Sequence, residues 1–314
     1  MAFIAFVALF DNPTNPTNAI DATNRLIMHR FNKITIIGVG LIGGSIGLAV
    51  KKRRLAKEVV GVFRRASTLR RAIKRGAIDR GAMDVSSGVK GSDLVIIATP
   101  VSLIPKIASE AIKNAKKGCI ITDAGSTKGW IVNAVEKTAS RSRCVYFVGS
   151  HPMAGSEKAG VEAAYPELLK SAACIVTRTK RTDSRALKIV SGFWEALGAR
   201  VSVMSPAAHD RSVSYISHLP HVVAFSLAGS VDTADLKYAA EGFRDTTRVA
   251  SSDPGLWADI FLTNRIEIVA SSRAFEKNLK SILAAIKNGD RPRIALLLAR
   301  AKAKRDKLSY GREA

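Results

Sequence analysis

The chain has 314 residues, enough for two domains of ordinary size, and its 47% hydrophobic and 24% charged residues suit a soluble globular protein. No apolar run approaches the roughly 18 residues that a membrane-spanning helix needs. The formal charge of +23 would suit binding to nucleic acid or to small anions. However, only 6% of the residues are aromatic, and the basic residues are spread over many predicted helices. We therefore interpret most of this charge as solvated helix surface.

Residues 1–27 differ in character from the rest of the chain. A short apolar run precedes residues 11–18, which are rich in Asn, Pro and Thr and show neither a helical nor a strand period. No Lys or Arg precedes Arg25, so the segment lacks the basic start of a signal peptide. We predict that residues 1–27 are a disordered extension or an artefact of the assigned start, since Met28 stands just before the first predicted strand.

A glycine-rich turn follows the first predicted strand. The apolar run Ile34–Ile37 leads into a G-x-G-x-x-G pattern, and a periodic apolar segment with many small residues comes next. Gly38 permits the tight turn, Gly40 lets the backbone approach a pyrophosphate, and Gly43 lets the helix pack on its strand. Free N–H groups at the helix N-terminus suit the phosphates. The pattern predicts a dinucleotide site that includes Gly38, Gly40, Leu41, Ile42 and Gly43.

The second predicted strand, Val59–Phe63, bears on the choice of cofactor. Phe63 stands where an NAD-binding fingerprint normally has an acidic residue for the ribose 2′-hydroxyl. Arg64 and Arg65 follow, and their guanidinium groups suit phosphate oxygens. We therefore predict NADP as cofactor, with Arg64 or Arg65 on the 2′-phosphate. NAD is the alternative, in which these arginines are solvated surface charges.

Strand and helix patterns alternate after residue 33, which predicts a doubly wound, Rossmann-type parallel sheet in a domain of residues 28–205. Thr99 and Pro100 follow one strand at the carboxyl edge of the sheet, where ligands bind, and join the predicted cofactor contacts. Beyond residue 205 only helical periodicity remains, at about 207–231, 256–288 and 292–307, which predicts an all-helical domain of residues 206–314. The predicted strands are Ile34–Ile37, Val59–Phe63, Leu94–Ala98, Cys119–Thr122, Val145–Val148, Cys174–Thr177 and Arg200–Met204.

Four motifs carry the candidate chemistry. Residues 123–128 read Asp-Ala-Gly-Ser-Thr-Lys and residues 149–157 read Gly-Ser-His-Pro-Met-Ala-Gly-Ser-Glu, each just past a predicted strand. In the helical region, residues 217–221 read Ser-His-Leu-Pro-His and residues 242–248 read Gly-Phe-Arg-Asp-Thr-Thr-Arg. In order and spacing this set resembles the prephenate/arogenate (cyclohexadienyl) dehydrogenase family of tyrosine biosynthesis, over about residues 30–270.

The resemblance implies an NAD(P)-dependent enzyme that oxidatively decarboxylates prephenate, arogenate or both, to 4-hydroxyphenylpyruvate or tyrosine. His151 matches the family's catalytic histidine, and its ordinary pKa of about 6.5 suits a base at neutral pH. Ser126 matches the serine that hydrogen-bonds this histidine and the substrate hydroxyl. From residue type alone, His151 also suits a loop position beside Pro152, and Ser126 also suits a helix N-cap.

The resemblance further implies a set of substrate-binding residues. Arg248 matches an arginine that binds a substrate carboxylate, His221 and Arg244 match positions that face the substrate, and Glu157 matches a carboxylate near the site entrance. Taken alone, Arg248 also suits a surface ion pair with Asp245, and Glu157 a solvated position.

Neither the cysteines nor the histidines predict a metal site. Cys119, Cys144 and Cys174 are far apart and odd in number, which favours free buried thiols in a cytoplasmic protein. His218 and His221 are three residues apart but lack a third ligand, so we predict a packing role for His218 and a site role for His221.

In the resembled family the helical domains pair, so the resemblance implies a homodimer through residues 206–314, with no nucleic-acid or membrane partner. Two other interpretations stay open. One is another oxidoreductase with a Rossmann and a helical domain, of the β-hydroxyacid dehydrogenase type, which would need a lysine base in place of His151. The other is a basic nucleic-acid-binding protein on a Rossmann fold, which would show salt-sensitive heparin binding without cofactor binding.

Overall fold

The computed structural model describes residues 31–139, 144–155 and 158–308, so the predicted N-terminal extension and Glu157 lie outside the described residues. The chain divides into two compact units. The first ends at His209 and also takes in Ser252–Thr263, and the second consists of Asp210–Ser251 and the chain from Asn264 onward. The division therefore differs from the predicted single boundary after residue 205.

Six parallel strands form the main sheet of the first unit, in the spatial order β3-β2-β1-β4-β5-β6. This order is that of the Rossmann fold and confirms the predicted fold class. The strands are β1 (Phe31–Ile37), β2 (Ala56–Val62), β3 (Arg80–Ala82), β4 (Leu94–Ile97), β5 (Ile120–Asp123) and β6 (Tyr146–Val148).

Helices connect these strands. All of β4 and the last five residues of β1 are buried, and in β4 this explains why the sequence is continuously apolar rather than alternating. The helices are α1 (Leu41–Lys52), α2 (Ala66–Lys74), α3 (Val85–Val89), α4 (Ile104–Asn114), which follows a 3₁₀ turn at Val101–Leu103, and α5 (Gly129–Ala139).

A second, three-stranded sheet consists of β7 (Ser150–Pro152), β8 (Ala173–Thr177) and β9 (Arg200–Met204). β7 is antiparallel to β8, β8 is parallel to β9, and α6 (Ser184–Ala196) lies between β8 and β9 in the chain. The sequence placed β8 and β9 in the main parallel sheet, and the structure puts them in this separate sheet instead. β3 (Arg-Gly-Ala) and β7 (Ser-His-Pro) were not predicted, because neither short sequence contains the apolar run that marks the equally short β6.

Cys119 and Cys174 are buried, Cys144 is half-buried, and all three are free thiols. Burial raises the pKa of the Cys119 thiol to about 12 and also raises the pKa of Cys174, so both stay protonated at neutral pH. Among the residues that the structure describes, no group of three or more His, Cys, Asp or Glu side chains is arranged to hold a metal ion.

Between residues 206 and 308, the described chain is helical with short connections. The predicted segment 256–288 is split in two at Asn264, and no described helix is long and apolar enough to cross a membrane. The elements are α7 (Pro206–Val213), a π turn (Ser214–His218), α8 (Leu219–Gly229), a 3₁₀ turn (Thr233–Tyr238), α9 (Glu241–Thr247), a 3₁₀ turn (Arg248–Ser251), α10 (Pro254–Thr263), α11 (Arg265–Lys287) and α12 (Arg291–Asp306).

Helix α10 belongs to the first unit although the sequence placed it in the helical domain. The hydroxyl of Thr127 donates to the Thr263 hydroxyl at 3.1 Å, and the Ser102 hydroxyl donates to the Asp259 carboxylate. Trp257 is buried on the same helix. These long-range contacts join residues more than a hundred positions apart, which local periodicity does not reveal.

Candidate active site

A cleft of about 540 Å³ lies at the carboxyl ends of β1, β2 and β4, the edge at which open α/β sheets bind ligands. Its volume falls in the range typical of cofactor pockets. The predicted cofactor residues that line it are Gly38, Gly40, Arg64, Arg65, Thr99 and Pro100. The remaining three, Leu41, Ile42 and Gly43, form the first turn of α1.

The glycines of the turn between β1 and α1 fit a bound phosphate group. Gly38 has a φ of +91°, and a Cβ there would lie 2.6 Å from the Ala98 carbonyl oxygen. A Cβ at Gly43 would lie 2.1 Å from the Gly38 carbonyl oxygen, so only glycine lets α1 pack this close. At Gly40 a Cβ would meet no described atom within 4 Å, so the bare backbone there is open to a pyrophosphate at the N-terminus of α1.

Thr99 provides an independent sign of a polar ligand in this cleft. Its hydroxyl is buried and has no hydrogen-bond partner among the residues that the structure describes. A buried hydroxyl without a partner costs about 1–3 kcal/mol. Because Thr99 lines the cleft, a polar group of a bound dinucleotide would supply that partner.

One end of the cleft is strongly basic. Arg64 and Arg65 follow β2, and Arg71 on α2 joins them on the lining together with Thr68. Arg71 also pairs with Glu162, its Nη1 lying 3.0 Å from Oε1. Arg71 was not predicted from the sequence; it stands one helical turn beyond Thr68 and so faces the same side of α2.

Asp84 is a carboxylate on the same lining, but its hydrogen bonds point it toward α3. Its Oδ1 accepts from the backbone N–H of Ser87 at 2.8 Å and from the hydroxyl of Ser86 at 2.9 Å. The side-chain hydrogen bond from Ser87, followed by the backbone bonds, lowers the pKa of Asp84 below its usual range. Asp84 therefore acts as the N-cap of α3.

His151 is a buried strand residue, not a loop histidine. It is the middle residue of β7, only 7% of it is exposed, and it pairs with Ile175 of β8. Its Nδ1 lies 2.8 Å from Nε2 of His209, which is fully buried. The contact with His209 fixes the orientation of the His151 ring, and burial keeps most of that ring from solvent.

A buried ion pair joins the segment that carries Ser126 to the strand that carries His151. The Lys128 ammonium and the Asp123 carboxylate are both fully buried and contact each other. Lys128 Nζ also donates to the Ser150 carbonyl at 2.8 Å, and the Ser150 N–H donates to Asp123 Oδ1 at 3.2 Å. The alternative role of Ser126 as an N-cap does not hold, because α5 begins at Gly129 and its first turn is closed by the Lys128 carbonyl.

The second unit carries the other described residues that the resemblance singles out. Arg244 on α9 and Arg248 just after it are exposed, and His221 on α8 is half-buried. Nδ1 of His221 lies 2.9 Å from the Ser217 carbonyl oxygen. Burial lowers the pKa of His221, and the charge of Arg248 lowers it too, while the bond to Ser217 raises it. His221 is therefore neutral at neutral pH and lies near a guanidinium suited to a carboxylate ligand.

His218 packs inside the second unit, as predicted. It is fully buried, and its Nδ1 lies 3.1 Å from Nδ2 of Asn264, which also donates to the Asp210 carbonyl at 2.9 Å. His218 closes the π turn before Pro220. Proline has no N–H to offer the preceding turn, and a wider turn accommodates that loss.

Besides Arg71, three residues were missed or left without a role by sequence reasoning. Asp123 and Lys128 were quoted only as parts of a motif, although a Lys five positions after an Asp at a strand end was a usable signal. His209 belongs to no motif. The one available signal was a His-Asp pair shortly after the last strand of the first unit.

Comparisons with known sequences point to one family. The family model described as prephenate dehydrogenase, nucleotide-binding domain, matches residues 46–203, and that described as prephenate dehydrogenase, dimerization domain, matches residues 205–300. The prephenate dehydrogenase of Bacillus subtilis is 37% identical over 286 residues, or 88% of this chain and 76% of that protein. The cyclohexadienyl dehydrogenase of Zymomonas mobilis is 34% identical over 270 residues, or 83% of this chain and 90% of that protein.

Solved structures give the same result. The prephenate dehydrogenase of Aquifex aeolicus in complex with hydroxyphenyl propionate and NAD+ has a TM-score of 0.82 at 32% identity, over 89% of this chain and 99% of that chain. The arogenate dehydrogenase of Synechocystis has a TM-score of 0.75 at 30% identity, over 88% of this chain and 99% of that chain. On these matches, which span both compact units, the chain belongs to the prephenate dehydrogenase family.

Proposed function

We propose that this chain oxidatively decarboxylates prephenate, arogenate or both, with NADP as the preferred hydride acceptor and His151 as the base. The reaction class follows from the family: the chain is an NAD(P)-dependent prephenate/arogenate dehydrogenase. The assignment of the base rests on one observation, a buried histidine whose strand is tied through Ser150 to the segment that carries Ser126.

In the proposed reaction, Nε2 of His151 accepts the proton of the substrate's 4-hydroxyl, and the Ser126 hydroxyl hydrogen-bonds the same group. Loss of this proton leaves negative charge on the oxygen and so assists the departure of the hydride from C4. When bound, the nicotinamide accepts this hydride. The bond to the ring carboxylate breaks to release CO2, its electron pair completes the aromatic ring, and the phenolate oxygen takes back the proton that His151 holds.

We assign the substrate's two carboxylates to Arg248 and Arg244, with His221 as a neutral neighbour. A guanidinium binds a carboxylate through two parallel N–H groups, which gives both affinity and orientation. Because His221 is uncharged at neutral pH, it offers the substrate a neutral polar contact and leaves the ionic contacts with the carboxylates to the two arginines. Glu157, outside the described residues, keeps its predicted place at the site entrance as a proposal.

The basic end of the nucleotide cleft supports the proposed preference for NADP. Phe63, which stands where NAD-specific enzymes hold an acid, is buried, so no carboxylate at that position repels a 2′-phosphate. Arg64, Arg65 and Arg71 line the cleft and offer guanidinium donors to phosphate oxygens. Asp84 opposes them only in part, because its oxygens accept hydrogen bonds from α3.

We also propose a homodimer formed through the second unit. Helices α11 and α12 carry large apolar side chains that are exposed in the single chain: Ile266, Val269, Phe275, Leu279, Leu283, Ile286, Leu296 and Leu298. An apolar surface of this kind is unusual on a monomer and suits a second copy of the chain.

The proposed reaction is tested by following reduced cofactor spectroscopically with each substrate and each cofactor. We expect a higher kcat/KM with NADP than with NAD. His151→Asn should lose about 10²- to 10⁴-fold of kcat with cofactor affinity nearly intact, as expected for a general base. A His151→Asn variant with the parent kcat would assign the base elsewhere.

The carboxylate assignment is tested in the same assay. Arg248→Ala should raise the substrate KM by about 10- to 150-fold, because a charge-assisted pair is worth roughly 1.5–3 kcal/mol and binds ground and transition states alike. Arg211→Ala, at another exposed arginine of the second unit, serves as control and should leave KM unchanged. An Arg248→Ala variant with the parent KM would place Arg248 outside the substrate site.

A further inference from the structure

His209 is the residue that the structure adds to the site around His151. It is 0% exposed, its Nε2 lies 2.8 Å from His151 Nδ1, and the two rings are 5.1 Å apart between centroids at 63°. We propose that His209 is a positioning residue that holds His151 in the one tautomer able to act as base. This inference rests on the proposed role of His151.

A neutral imidazole carries one proton, on Nδ1 or on Nε2. A histidine that takes a proton on Nε2 must begin with its own proton on Nδ1. In His151, Nδ1 is the nitrogen that faces His209. If Nε2 of His209 accepts the bond from Nδ1–H, the proton of His151 is held on the correct side, and His209 carries its own proton on Nδ1.

The same hydrogen bond supports the charged state of the base. When the substrate O–H bond breaks and its proton moves to Nε2 of His151, the ring becomes an imidazolium with protons on both nitrogens. Nε2 of His209 still accepts from Nδ1–H, and that bond is now charge-assisted and stronger. Because both rings are buried, water is poorly placed to take over this role.

The fold holds His209 rigidly enough for this task. The Ser205 hydroxyl accepts from the Ala208 N–H at 3.1 Å at the start of α7, and the Ser205 carbonyl accepts from the His209 N–H at 2.9 Å. His209 therefore stands in the first turn of a capped helix, directly after β9, and lies in the same compact unit as His151. A side chain fixed on a helix is better placed for orientation than one on a mobile loop.

The test compares two polar variants of similar size. His209→Gln carries its amide oxygen near the position of the lost Nε2 and keeps an acceptor there, whereas the shorter amide of His209→Asn reaches only the position of Nδ1. We expect His209→Asn to lower kcat by about 10- to 100-fold, the loss that removing the hydrogen-bond partner of a metal-binding histidine typically causes. His209→Gln should recover most of that kcat. KM for substrate and for NADP should change little in both.

A purely structural role for His209 predicts a different result, in which both variants lose thermal stability and active fraction together and kcat per folded molecule stays at the parent value. That outcome, or equal kcat in the Gln and Asn variants, would overturn the proposal. His151→Asn is measured in parallel. If it keeps its kcat, the base itself is misassigned. If it is inactive while both His209 variants keep the parent kcat, only the role of His209 is refuted.

Discussion

Among single residues, Lys128 and Asp123 show how the site is held in place. Taking two charges out of water is costly, and the attraction between them offsets the cost only if the other polar atoms are also satisfied. Here Asp123 accepts from the Gly125 N–H at 2.9 Å and from the Ser150 N–H, and Lys128 donates to the Ser150 carbonyl. The pair therefore fixes a loop and a strand together, which a hydrophobic pair of the same size does not do.

Removing one partner of this pair should destabilise the fold strongly. Lys128→Met leaves the Asp123 carboxylate buried without its cation, and we expect the free energy of unfolding in urea to fall by about 3–5 kcal/mol. Lys280→Met is the matched control, because Lys280 forms an exposed ion pair with Glu276 on α11. The control should leave stability nearly unchanged. Equal stability of Lys128→Met and the parent protein would refute this role of the buried pair.

At the scale of elements, the turn from β2 into α2 carries the arginines on which the proposed preference for NADP depends. Converting Phe63 to an acid is a poor way to alter this choice, because Phe63 is buried and its ring packs near Gly61 and Val39. The arginines are better targets. Arg64 and Arg65 form the entry to α2 and Arg71 lies on the same helix, so all three can be changed without opening the core.

Replacing the three arginines by serine should weaken NADP binding selectively. Loss of charge-assisted bonds to the 2′-phosphate is expected to raise the KM for NADP by at least about 10-fold, while the KM for NAD stays close to the parent value. Arg70→Ser, on the same helix but off the cleft lining, is the control. Parallel increases of both KM values would show that the arginines bind the common part of the two cofactors or act through α2 itself.

Elements with a strong local signal were predicted well. β1, the glycine turn and α1 follow from an apolar run and a glycine pattern whose spacing has a direct steric cause at Gly38 and Gly43. The second sheet was not predicted, because its membership depends on β7, a strand of three residues. His209 was missed for a similar reason: its partner stands 58 positions earlier, and only the tertiary fold brings the two rings together.

At the scale of the whole molecule, two features act in opposite directions on the association of two chains. The formal charge of +23 opposes it, and the exposed apolar side chains of α11 and α12 favour it. Like net charges repel, but the repulsion is screened at physiological salt, whereas burial of apolar area is not. In the proposed dimer, covering the leucines and isoleucines of the two helices outweighs the screened repulsion. This balance predicts association that strengthens as salt is added.

The dimer prediction is tested by measuring mass in solution by light scattering. We expect twice the chain mass for the parent protein. Leu283→Lys, which puts a charge on the apolar face of α11 where Leu283 is 53% exposed, should shift the mass toward that of one chain. Ile73→Lys, at an exposed apolar residue of α2 in the first unit, should leave the dimer intact. A Leu283→Lys variant that remains fully dimeric would move the interface to another surface.

The discontinuity of the first unit has a consequence for synthesis. A ribosome delivers the chain from its N-terminus, so the six-stranded sheet and the second sheet emerge well before Ser252–Thr263. Until α10 has left the exit tunnel, Ser102 and Thr127 lack their partners on that helix, and the nascent first unit stays incomplete. Domains generally fold as units during synthesis, but this one must wait until the first segment of the second unit, Asp210–Ser251, has been translated. A fragment that ends at residue 205 lacks α10 and therefore never completes the first unit. We expect such a fragment to aggregate or to bind chaperones.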